Sequence, residues 1–223
     1  MADIFEWAEE RPLFTLNDLE RRFNHDRKYL RLKLHRMVER DKLIRVERGK
    51  YTVHDDPMIY ATYIETPSFF SYWTALRYYN LTTQQPTRLH VVTRKNRKDI
   101  ESIIFHSSKN IFGYGKKRYQ NFQVFIAEEE KLLLDCLNGK TVPVEELKGL
   151  VKKVDKKKIV EYCSKFDSRA LCKRAGFLLE RAGKDVDKLQ NQVNHNYTPL
   201  DLSKPREGEK NSRWKILVNS DVD

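Results

Sequence analysis

Residues 43–53 read LIRVERGKYTV. β-Branched and aromatic residues alternate with polar ones on both sides of Arg48-Gly49, a pattern that predicts two short strands joined by a tight turn. Ile44 and Val46 share one face of the first strand, and Tyr51 and Val53 share one face of the second. Arg45, Arg48 and Lys50 lie at or beside the tip. Such a tip sets cations where a polyanion could pass.

The residues before it follow a helical period. Ile4, Phe5, Trp7 and Ala8 predict a short amphipathic helix that Pro12 ends. Thr15, with Asp18 three residues on, predicts the capping box of a second helix burying Leu16, Leu19 and Phe23. Asn24 to Asp26 form a polar break, and Asp26 is placed to cap a third helix over about residues 27–41. There Leu30, Leu34, Met37 and Val38 fall on one stripe at about 100° per residue. Lys28, Arg31, His35 and Arg36 point away from it, with Glu39 and Leu32 among them.

Helix, helix, short turn, basic helix and hairpin is the order of a winged helix-turn-helix, whose third helix enters the major groove while the wing lies along the backbone. The candidate DNA contacts are Arg27, Lys28, Arg31, His35 and Arg36 on the helix, and Arg45, Arg48 and Lys50 on the wing. Arg31, His35 and Arg36 are placed for base edges, since arginine pairs bidentately with guanine. Arg48 and Lys50 are placed for phosphates, where counterion release gives affinity that falls with salt. The plain alternative is a solvated basic face or a protein contact.

Charge segregation agrees. The 223 residues carry a net charge of +11, yet residues 1–20 hold six acids and one basic residue, while 21–53 hold twelve basic residues and four acids. Cys136, Cys163 and Cys172 form no paired motif and are expected as reduced thiols. The six histidines show no metal-ligand spacing. No apolar run approaches the ~18 residues of a membrane span, and the acidic start is unlike a signal peptide. A cytoplasmic protein is expected.

His54 to Met58 is polar and contains a proline, which predicts a linker between a DNA-binding domain at 1–56 and a second domain at 57–223. In the latter, residues 66–86 predict an aromatic amphipathic helix with a Ser/Pro entry, 88–94 and 121–127 predict strands, and 128–137 a helix with acids in its first turn. Three or four further helices are expected between about 143 and 193, and a strand at 213–219. The expected class is α+β, with a small sheet and a helical C-terminal half.

Four stretches in this order resemble the AbiEi family of antitoxins and transcriptional repressors of type IV toxin–antitoxin systems: LIRVERGKYTV, SYWTALRYYNLTTQQP, VFIAEEEKLLLDCL, and RALCKRAGFLLERAG with RWKILVN. Asn80 stands where the family often has Gly, and Glu128-Glu129 where it often has Asp-Pro. The resemblance implies an autorepressor binding operator inverted repeats as two copies. It also implies opposition to a nucleotidyltransferase toxin without a stable complex, and a C-terminal domain needed for antitoxicity.

Other stretches suggest different chemistry. Glu129-x-Lys131 after a strand matches part of a PD-(D/E)xK nuclease motif, but such a site needs another acid on a preceding strand; the ordinary reading is an acidic first turn with Lys131 in solvent. Phe112 to Arg118, FGYGKKR, lacks phosphate-loop spacing and predicts a basic hairpin tip within 88–119, where nine basic residues face two acids. The terminal NSDVD cannot fix a nucleotidyltransferase's carboxylates. A ligand-sensing regulator would use a pocket lined by Phe69, Tyr72, Trp73 and Tyr78, residues equally suited to core. A second basic surface, Lys152, Lys153, Lys157, Arg169, Lys173 and Arg174, is a candidate for nucleic acid. No catalysis, metal or cofactor is expected.

Overall fold

A computed structural model describes residues 4–222. The N-terminal part runs α1 (Ile4–Glu9), β1 (Phe14–Thr15), α2 (Leu16–Phe23), α3 (Arg27–Glu39), β2 (Ile44–Glu47) and β3 (Lys50–Thr52). The Thr15 hydroxyl accepts from the Asp18 amide while the Asp18 carboxylate accepts from the Thr15 amide, completing the box the sequence predicts. Asn24 turns left-handed (φ 48°) and stops α2. The Asp26 carboxylate then accepts from the Lys28 and Tyr29 amides and starts α3. That helix ends at Glu39, two residues short of expectation, because Asp41 adopts φ 54°. Ile4, Ala8, Phe14, Leu19, Leu30, Leu34, Met37 and Leu43 form one buried cluster beneath the antiparallel sheet β1-β3-β2. Gly49 (φ 81°) makes the β2–β3 turn, which a side chain would strain.

A second, larger cluster lies around a five-stranded sheet of order β6-β5-β4-β8-β7. Its strands are β4 (Ser68–Phe70), β5 (Leu89–Thr93), β6 (Ile103–Ser107), β7 (Tyr114–Tyr119) and β8 (Phe122–Ala127). Here three expectations need correction. Residues 68–70, read as the entry to a helix, form the central strand, and only Tyr72–Tyr78 is helical (α5). Residues 114–118 are no hairpin tip: they form the edge strand β7, and the turn comes later, at Gln120-Asn121. The closing strand shrinks to Ile216–Val218, because Asn211 holds the Trp214 amide in a turn that buries the indole.

Helix α4 (Pro57–Tyr60) precedes the sheet, and α6 (Glu129–Asn138), α7 (Lys148–Lys153), α8 (Lys156–Phe166) and α9 (Arg169–Arg181) follow it. Helix α6 is buried on every side from Glu130 to Leu137. It packs against α5, α8 and α9, which makes it the central post of the helical half. Three short strands, β9 (Thr198–Pro199), β10 (Glu209–Asn211) and β11 (Ile216–Val218), close the chain. The architecture is α+β.

The stretch His54 to Met58 is tied on both sides. The His54 ring bonds the Arg11 carbonyl and meets the Phe122 ring edge-on, and Asp56 accepts from the Tyr119 hydroxyl.

Candidate nucleic-acid interface

Helix α3 turns Leu30, Leu34 and Met37 inward, and Lys28, Arg31, Leu32, His35 and Arg36 lie exposed. Lys28, Arg31 and Arg36 join no ion pair among the described residues, whereas His35 sits 3.6 Å from Glu39. Arg27, expected among the DNA contacts, instead reaches back to Asn17 and Glu20 on α2 and braces the two helices. Leu32 and Tyr29 are each 49% exposed, uncommon for large apolar groups. Along this flank runs a groove lined by Phe5, Tyr29, Leu32, Lys33, Arg36, Met37, Arg40 and Lys42. It combines an apolar floor with a cationic rim.

The hairpin divides its cations. Arg45 and Arg48 are exposed and join no ion pair among the described residues. Lys50, predicted to meet phosphate, is turned inward: its ammonium lies 2.9 Å from Glu47 and donates to the Ile64 carbonyl. The physical reason is a neighbour largely covered by protein. Arg97, from the loop after β5, donates to the same Glu47 carboxylate, lies 3.8 Å from Glu65 and stacks over Phe105. Burial alone would push the Glu47 carboxyl up, but the Lys50 hydrogen bond and the Arg97 charge outweigh it and hold it below the usual carboxylate range. Lys50 is therefore part of a joint.

The second basic surface is only partly a surface. Lys152, Lys153, Lys157 and Arg169 are exposed, but Lys173 and Arg174 are buried. Lys173 donates to Asn194 and the Asn196 carbonyl, and Arg174 to the Pro199 and Leu137 carbonyls. They pin the C-terminal strands to α9, and cannot meet a ligand there.

Lys131, expected in solvent, has no exposed surface. Its ammonium pairs with Asp135 and lies 4.9–5.6 Å from the ring centres of Phe69, Phe112 and Phe166. Ser71 supplies a second donor to Asp135 at 2.8 Å. Glu129-x-Lys131 therefore does not converge on one metal position, and among the described residues no group of three or more His, Cys, Asp or Glu is placed to hold a metal. Phe69 is core, stacked on Tyr114, and Trp73 donates to the Thr141 carbonyl.

Sequence reasoning also missed a histidine pair. His90 Nδ1 and His106 Nε2 are 2.9 Å apart on neighbouring parallel strands, with Tyr72 packed over His106. Burial, then the neighbouring His106, pushes His90 down to about 4. The only signal was two histidines in two strand-like runs, and the register that unites them is not local.

Comparison with known proteins places this geometry. Residues 2–54 match the family described as transcriptional regulator, AbiEi antitoxin. The crystal structure of the RV2827C protein from Mycobacterium tuberculosis superposes with a TM-score of 0.64 at 13% identity, covering 92% of this chain and 85% of that one, a likeness of fold. No curated protein matches. No helix among the described residues is long and apolar enough to cross a membrane. The family match is confined to the stretch that holds the basic helix and its hairpin, and over those residues the chain is similar to the AbiEi antitoxin family of transcriptional regulators.

Proposed function

We propose that residues 1–56 act as a winged helix-turn-helix that binds double-stranded DNA, with α3 in the major groove and the β2–β3 hairpin as the wing. Residues 57–223 would then serve as the antitoxin domain. One observation carries the reading: Lys28, Arg31, Arg36, Arg45 and Arg48 are all exposed and none is neutralised by a neighbouring acid among the described residues. Cations left without partners retain their full charge for phosphate and guanine. The chain acts as an autorepressor: two copies occupy an inverted repeat in its own promoter, as the symmetry of such operators requires. It opposes a nucleotidyltransferase toxin without a stable complex, and Lys152, Lys153, Lys157 and Arg169 are the remaining candidates for a second nucleic-acid surface.

The test is binding to a duplex of the protein's own promoter, with an unrelated duplex alongside. Arg31→Ala and Arg36→Ala should each weaken promoter binding by about 1–3 kcal/mol and reduce the preference over the unrelated duplex. Unchanged binding by both variants would refute the assignment of α3. Antitoxicity is tested separately, by rescue of growth when the neighbouring toxin gene is expressed.

A further inference from the structure

We infer that the loop Arg94 to Lys98, between β5 and β6, is a second wing: a phosphate-backbone contact in the second half of the molecule, held beside the first wing. The inference rests on the DNA-binding reading above. Five consecutive residues, RKNRK, include four cations. Arg97 alone is turned in, and it grips Glu47, the residue immediately before the Arg48-Gly49 turn. Glu65 lies 3.8 Å from Arg97 and 3.5 Å from Lys95, and Lys50 donates to the Ile64 carbonyl next to Glu65. Val46 of β2 packs on the larger core. Both residues flanking the hairpin turn are thus bound to the segment that also holds the loop.

The loop is fixed at its base as well. Thr93 donates to the Lys95 carbonyl at 2.7 Å, and Arg88 lies 3.1 Å from Asp99, whose other oxygen accepts from the Phe105 amide. Arg94, Lys95 and Lys98 remain exposed, and Arg94 and Lys98 join no ion pair among the described residues. A loop already ordered loses little conformational freedom when it meets a ligand. Arg97 ties the loop to Glu47, the residue before Arg48, so its exposed cations extend the hairpin's positive charge, and the ligand chemistry that matches is the phosphodiester backbone of the same duplex. The hairpin's loss of Lys50 to the joint is offset by the cations the joint brings.

Salt dependence of binding by the full-length protein tests this, measured with the promoter duplex and an unrelated duplex. Arg94→Ala/Lys98→Ala should lower the slope of log K against log salt by about 1.8, since each phosphate contact contributes ~0.9. It should weaken binding to both duplexes by the same factor, leaving sequence preference intact. The charge-preserving Arg94→Lys/Lys98→Arg should keep the wild-type slope. A wild-type slope for the alanine variant, while Arg31→Ala and Arg36→Ala still impair binding, overturns the second wing and spares the winged-helix reading. A loss in the charge-preserving variant as large as in the alanine variant also overturns it. Failure of the wild type to bind either duplex overturns both.

Discussion

Lys131 shows how much a single residue's meaning depends on what surrounds it. Burial pulls its ammonium down and pushes the Asp135 carboxyl up, and each opposes the shift in the other. Removing one partner from such a buried pair leaves an uncompensated charge, so Lys131→Met is expected to cost about 3–5 kcal/mol in urea unfolding. Lys131→Met/Asp135→Leu should recover much of that loss, because apolar replacement of both partners avoids the desolvation penalty. Gly176 is constrained differently. A Cβ there would overlap the buried Trp214 ring, so Gly176→Ala should lower the unfolding midpoint by displacing the indole. Neither role is visible in the chain alone. The sequence places Lys131 in a helix but not the three rings around it, which come from β4, the loop before β7, and α8.

At the scale of elements, legibility follows the range of the interactions. The capping box at Thr15 and the cap at Asp26 reach two or three residues, and both are readable from their spacing. Asp26→Ala should therefore destabilise α3 by about 1 kcal/mol, measured by thermal unfolding. The strand Ser68–Phe70 is buried at all three positions and too short to alternate, so it resembles the start of the helix that follows it. The fate of Lys50 was equally hidden. Its orientation depends on Arg97, and Glu47 and Arg97 are fifty residues apart. That joint yields a prediction of opposite sign to simple charge counting. Glu47→Gln removes an acid from the β2–β3 hairpin, which by electrostatics alone would tighten the proposed DNA binding. Loss of the grip on Arg97 should instead weaken it, and the promoter affinity of the single variant decides between them.

Across the whole molecule, acid sensitivity centres on the His90–His106 pair in the five-stranded sheet. His90 titrates at about 4 in the fold against an ordinary 6.5, and burial lowers His106 too. The unfolded chain therefore binds more protons between those values, and stability is full above about pH 6.5 and falls as the pH drops toward 4. The urea midpoint should decline over that window, and less so in His90→Gln/His106→Gln. A midpoint independent of pH there would show that the pair does not carry a proton linkage. The larger cluster also governs the part of the candidate site least legible in the sequence. Helix α3 and the hairpin were readable because their periods are local. The RKNRK loop acquires its place only when the mixed sheet assembles and brings Arg97 to Glu47.

His54 is held from both directions, by Arg11 on one side and by Phe122 on the other, and Asp56 two residues on is fastened to Tyr119. A chain so fastened between its halves has no free swivel. In solution the first fifty residues should report the same rotational correlation time by nuclear spin relaxation as the remainder, and a protease should find little purchase at residues 54–58.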